Sequence, residues 1–173
     1  MRRRLAPSSP IAHCLPSLAK VPPSGQGWIH EIKHDGFRIM VRRDGAGVRV
    51  LTRNGYDWSG RYPLITAAAN AIKANAFLID GEAVACDDKG LANFERLRAR
   101  HYDATVFLYA FDLALLNGTD LRNEPIERRK AALEKLLPAH PGMRLVEHLT
   151  MDDAAIIFEH ACRLGCERYR RKT

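Results

Sequence analysis

Trp28-Ile-His-Glu-Ile-Lys-His-Asp-Gly-Phe-Arg38 is the stretch on which the fold turns. Trp28, Ile29 and Ile32 are strand formers, and Phe37, Ile39 and Val41 restore a period-two alternation after Asp35-Gly36. The stretch therefore reads as strand, tight turn, strand, with Lys33 at a strand end. His30, Glu31, His34, Asp35 and Arg38 crowd around that lysine. Two readings follow from the residues alone. Lys33 is a nucleophile if neighbouring cations and partial burial favour its neutral amine, with Gly36 allowing a positive φ or a close ligand approach and Arg38 available for a bidentate phosphate contact. Alternatively, the stretch is a surface hairpin with an Asp-Gly turn and solvated charges.

Working outward, hairpin and helix signals alternate. Phe37 to Asp44 and Gly47 to Arg53 alternate apolar and polar residues around Asp44-Gly-Ala-Gly47, and Thr52-Arg53-Asn54-Gly55 closes the second strand. Arg61 to Asn75 carries Leu64, Ile65, Ala68, Ala69 and Ile72 at helical spacing. Phe77 to Cys86 reads as a strand with Asp80 and Glu82 on one face and Gly81 on the other. A turn at Asp87 to Gly90 and a short helix from Asn93 to His101 precede the most apolar run, Thr105 to Leu116, a buried strand whose one charge is Asp112. Asn117-Gly118 ends that strand, and Pro125 to Leu137 is a helix bracketed by prolines. Arg144 to Leu149 reads as a brief strand, and Thr150 caps a helix reaching about Leu164.

Bulk properties bound the class. The chain has 173 residues, 46% of them hydrophobic, enough for one compact domain with a core. Its formal charge of +7 sits at the ends: removing Arg2, Arg3, Arg4, Arg168, Arg170, Arg171 and Lys172 from 27 Lys plus Arg leaves 20, against 20 Asp plus Glu. A neutral body neither requires nor excludes a nucleic-acid face. Cys14, Cys86, Cys162 and Cys166 lack CxxC spacing and read as reduced thiols of a cytoplasmic protein. Cys162 and Cys166, four apart on a helix, can suit a metal but are more simply small packing residues. No apolar run reaches the ~18 residues of a membrane span, and prolines interrupt any signal-like segment after Arg4.

Lys33-His-Asp-Gly-Phe-Arg38 resembles the Lys-x-Asp-Gly-x-Arg signature of covalent nucleotidyltransferases, which include ATP-dependent DNA ligases, RNA ligases and mRNA capping enzymes. With the Pro-Pro-Ser-Gly lead-in, the chain from about residue 11 to 167 is similar to the ligase domain of bacterial multifunctional end-joining DNA ligases. Thr52-Arg53-Asn54-Gly55, Asp80-Gly81-Glu82, Phe107-Leu-Tyr-Ala-Phe-Asp-Leu113 and Gly165-Cys-Glu167 resemble further family segments in the family's order. The resemblance implies an α+β nucleotidyltransferase core (ATP-grasp-like) of mostly antiparallel sheets with flanking helices. It implies Lys33 as the catalytic residue that carries AMP, and a nucleotide site of Glu31, Ile32, Arg38, Arg53, Glu82 and Phe111, with Glu82 and Glu167 toward a divalent metal. ATP with Mg²⁺ or Mn²⁺, nicked or broken duplex DNA and end-joining proteins are the implied cofactors and partners, and no membrane is expected.

The pattern departs after Glu167, where Arg168-Tyr-Arg-Arg-Lys-Thr173 replaces the family's glycine and apolar strand. The expectation is a proline-rich arm at 1–27, a partial adenylation domain at 28–167, incomplete at its C-terminus, and a basic tail at 168–173. Such a truncated remnant is expected to seal nicks weakly or not at all. A noncatalytic nucleotide- or DNA-binding module and an RNA ligase or capping-type transferase remain the alternatives.

Overall fold

A computed structural model describes residues 29–149, with Leu149 described by its backbone alone. These residues fall in two compact units: one holds Asp35–Leu145, and the other holds residues 29–34 with residues 146–149. In chain order the elements are β1 (His30–Glu31), β2 (Phe37–Asp44), β3 (Gly47–Thr52), α1 (Pro63–Ala71), β4 (Phe77–Val84) and α2 (Phe94–Arg98). A 3-10 turn at Arg100–Thr105 follows, then β5 (Phe107–Leu116), β6 (Thr119–Asp120), α3 (Ile126–Leu136), β7 (Met143–Leu145) and β8 (His148–Leu149). The proline-rich arm, the helix after Thr150, Cys162, Cys166, Glu167 and the basic tail lie outside the described residues.

In the larger unit the strands form one six-stranded sheet in the order β3-β2-β4-β5-β6, with β7 on β5. All pairs are antiparallel except β7, which returns parallel to β5 after the α3 crossover. The β2–β3 hairpin forms where the Asp44-to-Gly47 signal places it, and Asp44 pairs with Gly47. One face of the sheet carries Ile39, Val41, Phe77, Ile79, Leu108 and Leu113, which join buried residues of the helices such as Ile65, Leu97 and Leu133 in the core. The apolar spacing of α1 and α3 thus serves its ordinary purpose, turning one stripe of each helix to the sheet. At the end of α1, where the sequence offers no glycine cap, Arg43 donates to the carbonyls of Asn70, Ile72 and Ala74.

Three expectations change. The opening stretch is not a hairpin: β1 pairs antiparallel with β8 in the smaller unit, whereas β2 belongs to the large sheet. The segment from Arg144 to Leu149 is two strands, one in each unit. Gly36 has no positive φ; the cause of a glycine there is space, since a Cβ would stand 2.2 Å from the Ala83 carbonyl oxygen.

The β4–β5 ladder is interrupted. Asp80 pairs with Asp112 but Gly81 pairs with Ala110, which leaves Phe111 as the extra residue of a bulge.

Candidate active site

Three of the expected site residues, Arg38, Glu82 and Phe111, sit on neighbouring strands of the large sheet, and a fourth, Arg53, is in the turn directly after β3. The β2–β3 register ends at Ile39 and Thr52, the neighbours of Arg38 and Arg53. Arg38 stands opposite Glu82 in the β2–β4 ladder, and Phe111 bulges from β5 next to β4. Side chains directly opposite in an antiparallel pair share a face, so Arg38 and Glu82 point to the same side, away from the helix-covered core. Asp80, two residues from Glu82, shares that side.

Charge pairing fixes the arrangement. Arg38 forks onto Asp80 through Nε at 3.1 Å and Nη2 at 2.7 Å, and its guanidinium carbon lies 5.4 Å from the centroid of the Phe111 ring. Such a bidentate pair is short and directional, so it holds the guanidinium in one plane. Asp80 is 6% exposed and Phe111 8%, whereas Glu82 is half-buried and Arg53 exposed. Asp80 is the partner of Arg38 that the sequence reading left unassigned; its signal was the two-residue spacing from Glu82 on the same strand face. Asp80→Asn keeps the shape and removes the charge, and the expected cost is about 2 kcal/mol, read as a lower denaturation midpoint with an unchanged slope.

Glu31, Ile32 and Lys33 lie in the smaller unit, where Glu31 pairs with His148 and His30 is buried. Burial, and after it the charge of the adjacent Lys33, lowers the His34 imidazole from its ordinary 6.5 to about 4. The folded value lies below the unfolded one, so the fold favours the neutral ring. Its contribution to stability is complete above pH 6.5 and is lost as pH falls through about 4. A proton NMR titration is expected to place the His34 midpoint near 4, and Lys33→Ala to move it part of the way back toward 6.5. A midpoint at 6.5 in the parent chain would refute a buried ring.

A family model for the ATP dependent DNA ligase domain matches residues 10–167. The chain belongs to this DNA ligase family. It is 36% identical over 161 residues to the multifunctional non-homologous end joining protein LigD of Pseudomonas aeruginosa, covering 91% of this chain and 19% of that protein. A probable DNA ligase of a Nocardioides species is 38% identical over 141 residues, covering 79% of this chain and 28% of the relative. The crystal structure of the ligase domain of M. tuberculosis LigD superposes with a TM-score of 0.68 at 33% identity, over 80% of this chain and 46% of that one. A structure of mycobacterial DNA ligase D complexed with ATP and MES matches equally, at a TM-score of 0.68. The chain therefore spans less than a third of the full-length relatives it matches.

The shared fold explains why this ligase domain keeps a mostly antiparallel sheet with helices packed on it. Among the described residues no helix is long and apolar enough to cross a membrane. The sequence reading also passed over Arg129 and Lys130 of α3, in the charge run Glu127-Arg-Arg-Lys130. Arg129 pairs with Asp112, and Lys130 is buried with its amine on the Phe111 carbonyl. The signal was periodicity: Lys130 precedes the core residue Leu133 by three and so lies on the inward face.

Proposed function

We propose that this chain is the adenylation unit of an ATP-dependent DNA ligase, with Lys33 as the residue that takes up AMP. Family membership supports the reaction class. The single observation that supports the residue assignment is the strand order, in which Arg38, Glu82 and Phe111 follow one another across β2, β4 and β5, with Arg53 in the turn that leaves the neighbouring β3. In this reading Phe111 stacks on adenine, Glu31 and Ile32 flank the nucleotide beside the lysine, Glu82 takes the ribose, and Arg38 and Arg53 face phosphate. Asp80 holds Arg38 in place for that contact. ATP as substrate is in keeping with the ATP complex of the mycobacterial ligase.

The neutral Nζ of Lys33 attacks the α-phosphorus of ATP. A nitrogen–phosphorus bond forms as the bond to the bridging oxygen breaks, pyrophosphate leaves, and the amine gives up a proton. AMP then passes to the 5′-phosphate of nicked or broken duplex DNA, and the 3′-hydroxyl displaces it to join the strand. End-joining proteins are the partner class, in keeping with the name of the Pseudomonas relative, and the cytoplasm is the place of action in this reading, in keeping with cysteines that lack a disulfide pattern.

Among the described residues no group of three or more His, Cys, Asp and Glu gathers as a dedicated metal cage. The half-buried Glu82 carboxylate fits a hard cation held mainly by substrate phosphates, as Mg²⁺ commonly is, with Mn²⁺ as its substitute and Glu167 as a further ligand. When bound, such an ion neutralises charge on the phosphates. The 173-residue polypeptide seals nicks weakly or not at all in this reading, because Arg168-Tyr-Arg-Arg171 stands where the family has a glycine and an apolar strand.

Incubation of the purified chain with α-labelled ATP and Mg²⁺ or Mn²⁺ tests the proposal. The expected result is acid-labile label on the protein with release of pyrophosphate. A chain that takes up no label with either metal refutes it, and robust nick sealing refutes the weak-sealing part. Parallel DNA and RNA nicks separate a DNA ligase from an RNA ligase.

A further inference from the structure

We propose that Arg129 and Lys130 of α3 are positioning residues that clamp the bulge at Phe111-Asp112, and so present the Phe111 ring on the sheet face that carries Arg38 and Glu82. The inference rests on the reading of Phe111 as the adenine-stacking residue.

The bulge needs an anchor, because an extra residue outside the ladder loses the pairing that fixes its neighbours. β4 locates it: a Cβ on Gly81 would meet Leu108 Cδ1 at 2.5 Å and the Tyr109 carbonyl oxygen at 2.7 Å, so the two strands are pressed together beside the bulge. The helix then grips it twice. Lys130, 2% exposed, donates its amine to the Phe111 carbonyl oxygen at 3.1 Å. Arg129 pairs with Oδ2 of Asp112, whose Oδ1 accepts from the Leu113 amide at 2.8 Å. Arg129 also donates to the Glu124 carbonyl at 3.2 Å, which ties the clamp to the turn that leads into α3.

Helix packing alone does not call for this. Leu133 is fully buried and Ala132, Leu136 and Leu137 pack on the same core, so apolar residues already seat α3 on the sheet. Placing a lysine amine in that layer carries a desolvation cost that an aliphatic side chain avoids. What the lysine adds is a donor aimed at one backbone carbonyl, that of the residue whose ring faces the site. From the other side Arg38 rests on that ring at 5.4 Å, itself held by Asp80. The ring is thus oriented by its backbone from α3 and by its face from β2.

Two variants test the clamp. Lys130→Met removes the donor at similar volume, and Asp112→Asn removes the anionic partner of Arg129 while keeping an acceptor for Leu113. Without nucleotide, either is expected to speed hydrogen exchange of the Leu113 amide and to weaken the cross-peaks between the Phe111 ring and the Arg38 side chain. With ATP as probe, Lys130→Met is expected to weaken binding by about fivefold, the effect of a displaced aromatic stack. In a Phe111→Ala background the same change is expected to alter ATP affinity by about twofold or less, since there is no ring left to position. Unchanged exchange and cross-peaks in both variants overturn the clamp. An equal loss of ATP affinity in both backgrounds overturns the positioning role in favour of plain structural support. A parent chain without ATP affinity overturns the nucleotide reading and the adenine half of this inference, while the exchange and cross-peak measurements still decide the clamp.

Discussion

Lys33→Ala is expected to abolish covalent labelling of the chain by α-labelled ATP, a loss of about 10⁴-fold or more, while ATP binding changes far less. The split is the informative part. A nucleophile contributes to the bond-making step and little to ground-state binding, so its removal is read in the rate and not in the affinity. Lys33→Arg sharpens the test, because a guanidinium keeps the positive charge but does not become a neutral amine near physiological pH. Both variants are expected to be equally inactive. Phe111→Ala is expected to do the reverse, weakening ATP binding while the rate at saturating ATP falls much less. Labelling that survives in Lys33→Ala would place the nucleophile elsewhere, whereas a parent chain that binds ATP and takes up no label would return it to the class of binding modules.

The proposed nucleophile could be named from the sequence because its signature is local. Lys33, Asp35, Gly36 and Arg38 lie within six residues, and a short motif can be read without knowing what the chain packs against. Strand and helix identity were legible for the same reason, since alternation in β2 and helical spacing in α1 are properties of the segment. Pairing was not. β1 joins β8, more than a hundred positions away in sequence, and nothing in Ile29-His-Glu-Ile32 distinguishes that partner from the adjacent Phe37 strand. Register between distant strands is decided by which faces become buried together, which is a property of the whole sheet. The fork from Arg38 to Asp80 escaped notice on the same grounds, because it joins residues brought side by side only by the β2–β4 ladder. Lys130 was hidden differently, since a lysine in a charge run is ordinarily solvated and only the sheet reveals the carbonyl that it serves.

Gly36→Ala is expected to destabilise the chain by about 3 kcal/mol or more, and Gly36→Val to prevent folding at ordinary temperature. The argument is one of distance. A Cβ at residue 36 would stand 2.2 Å from the Ala83 carbonyl oxygen, 2.9 Å from Glu82 Cγ and 3.0 Å from Val84 Cγ1. A flexible side-chain end can turn aside, but the nearest of these atoms is backbone in a central strand that pairs on both sides. Relief therefore requires β2 and β4 to separate at Phe37–Ala83, the pair next to the one that sets Arg38 against Glu82. The same displacement should disturb the site, so residual folded Gly36→Ala is expected to label with ATP more slowly than its folded fraction predicts. Thermal denaturation followed by circular dichroism measures the first effect, and labelling normalised to folded protein the second. A Gly36→Ala chain as stable as the parent would mean that β2 and β4 do not approach as closely as 2.2 Å implies.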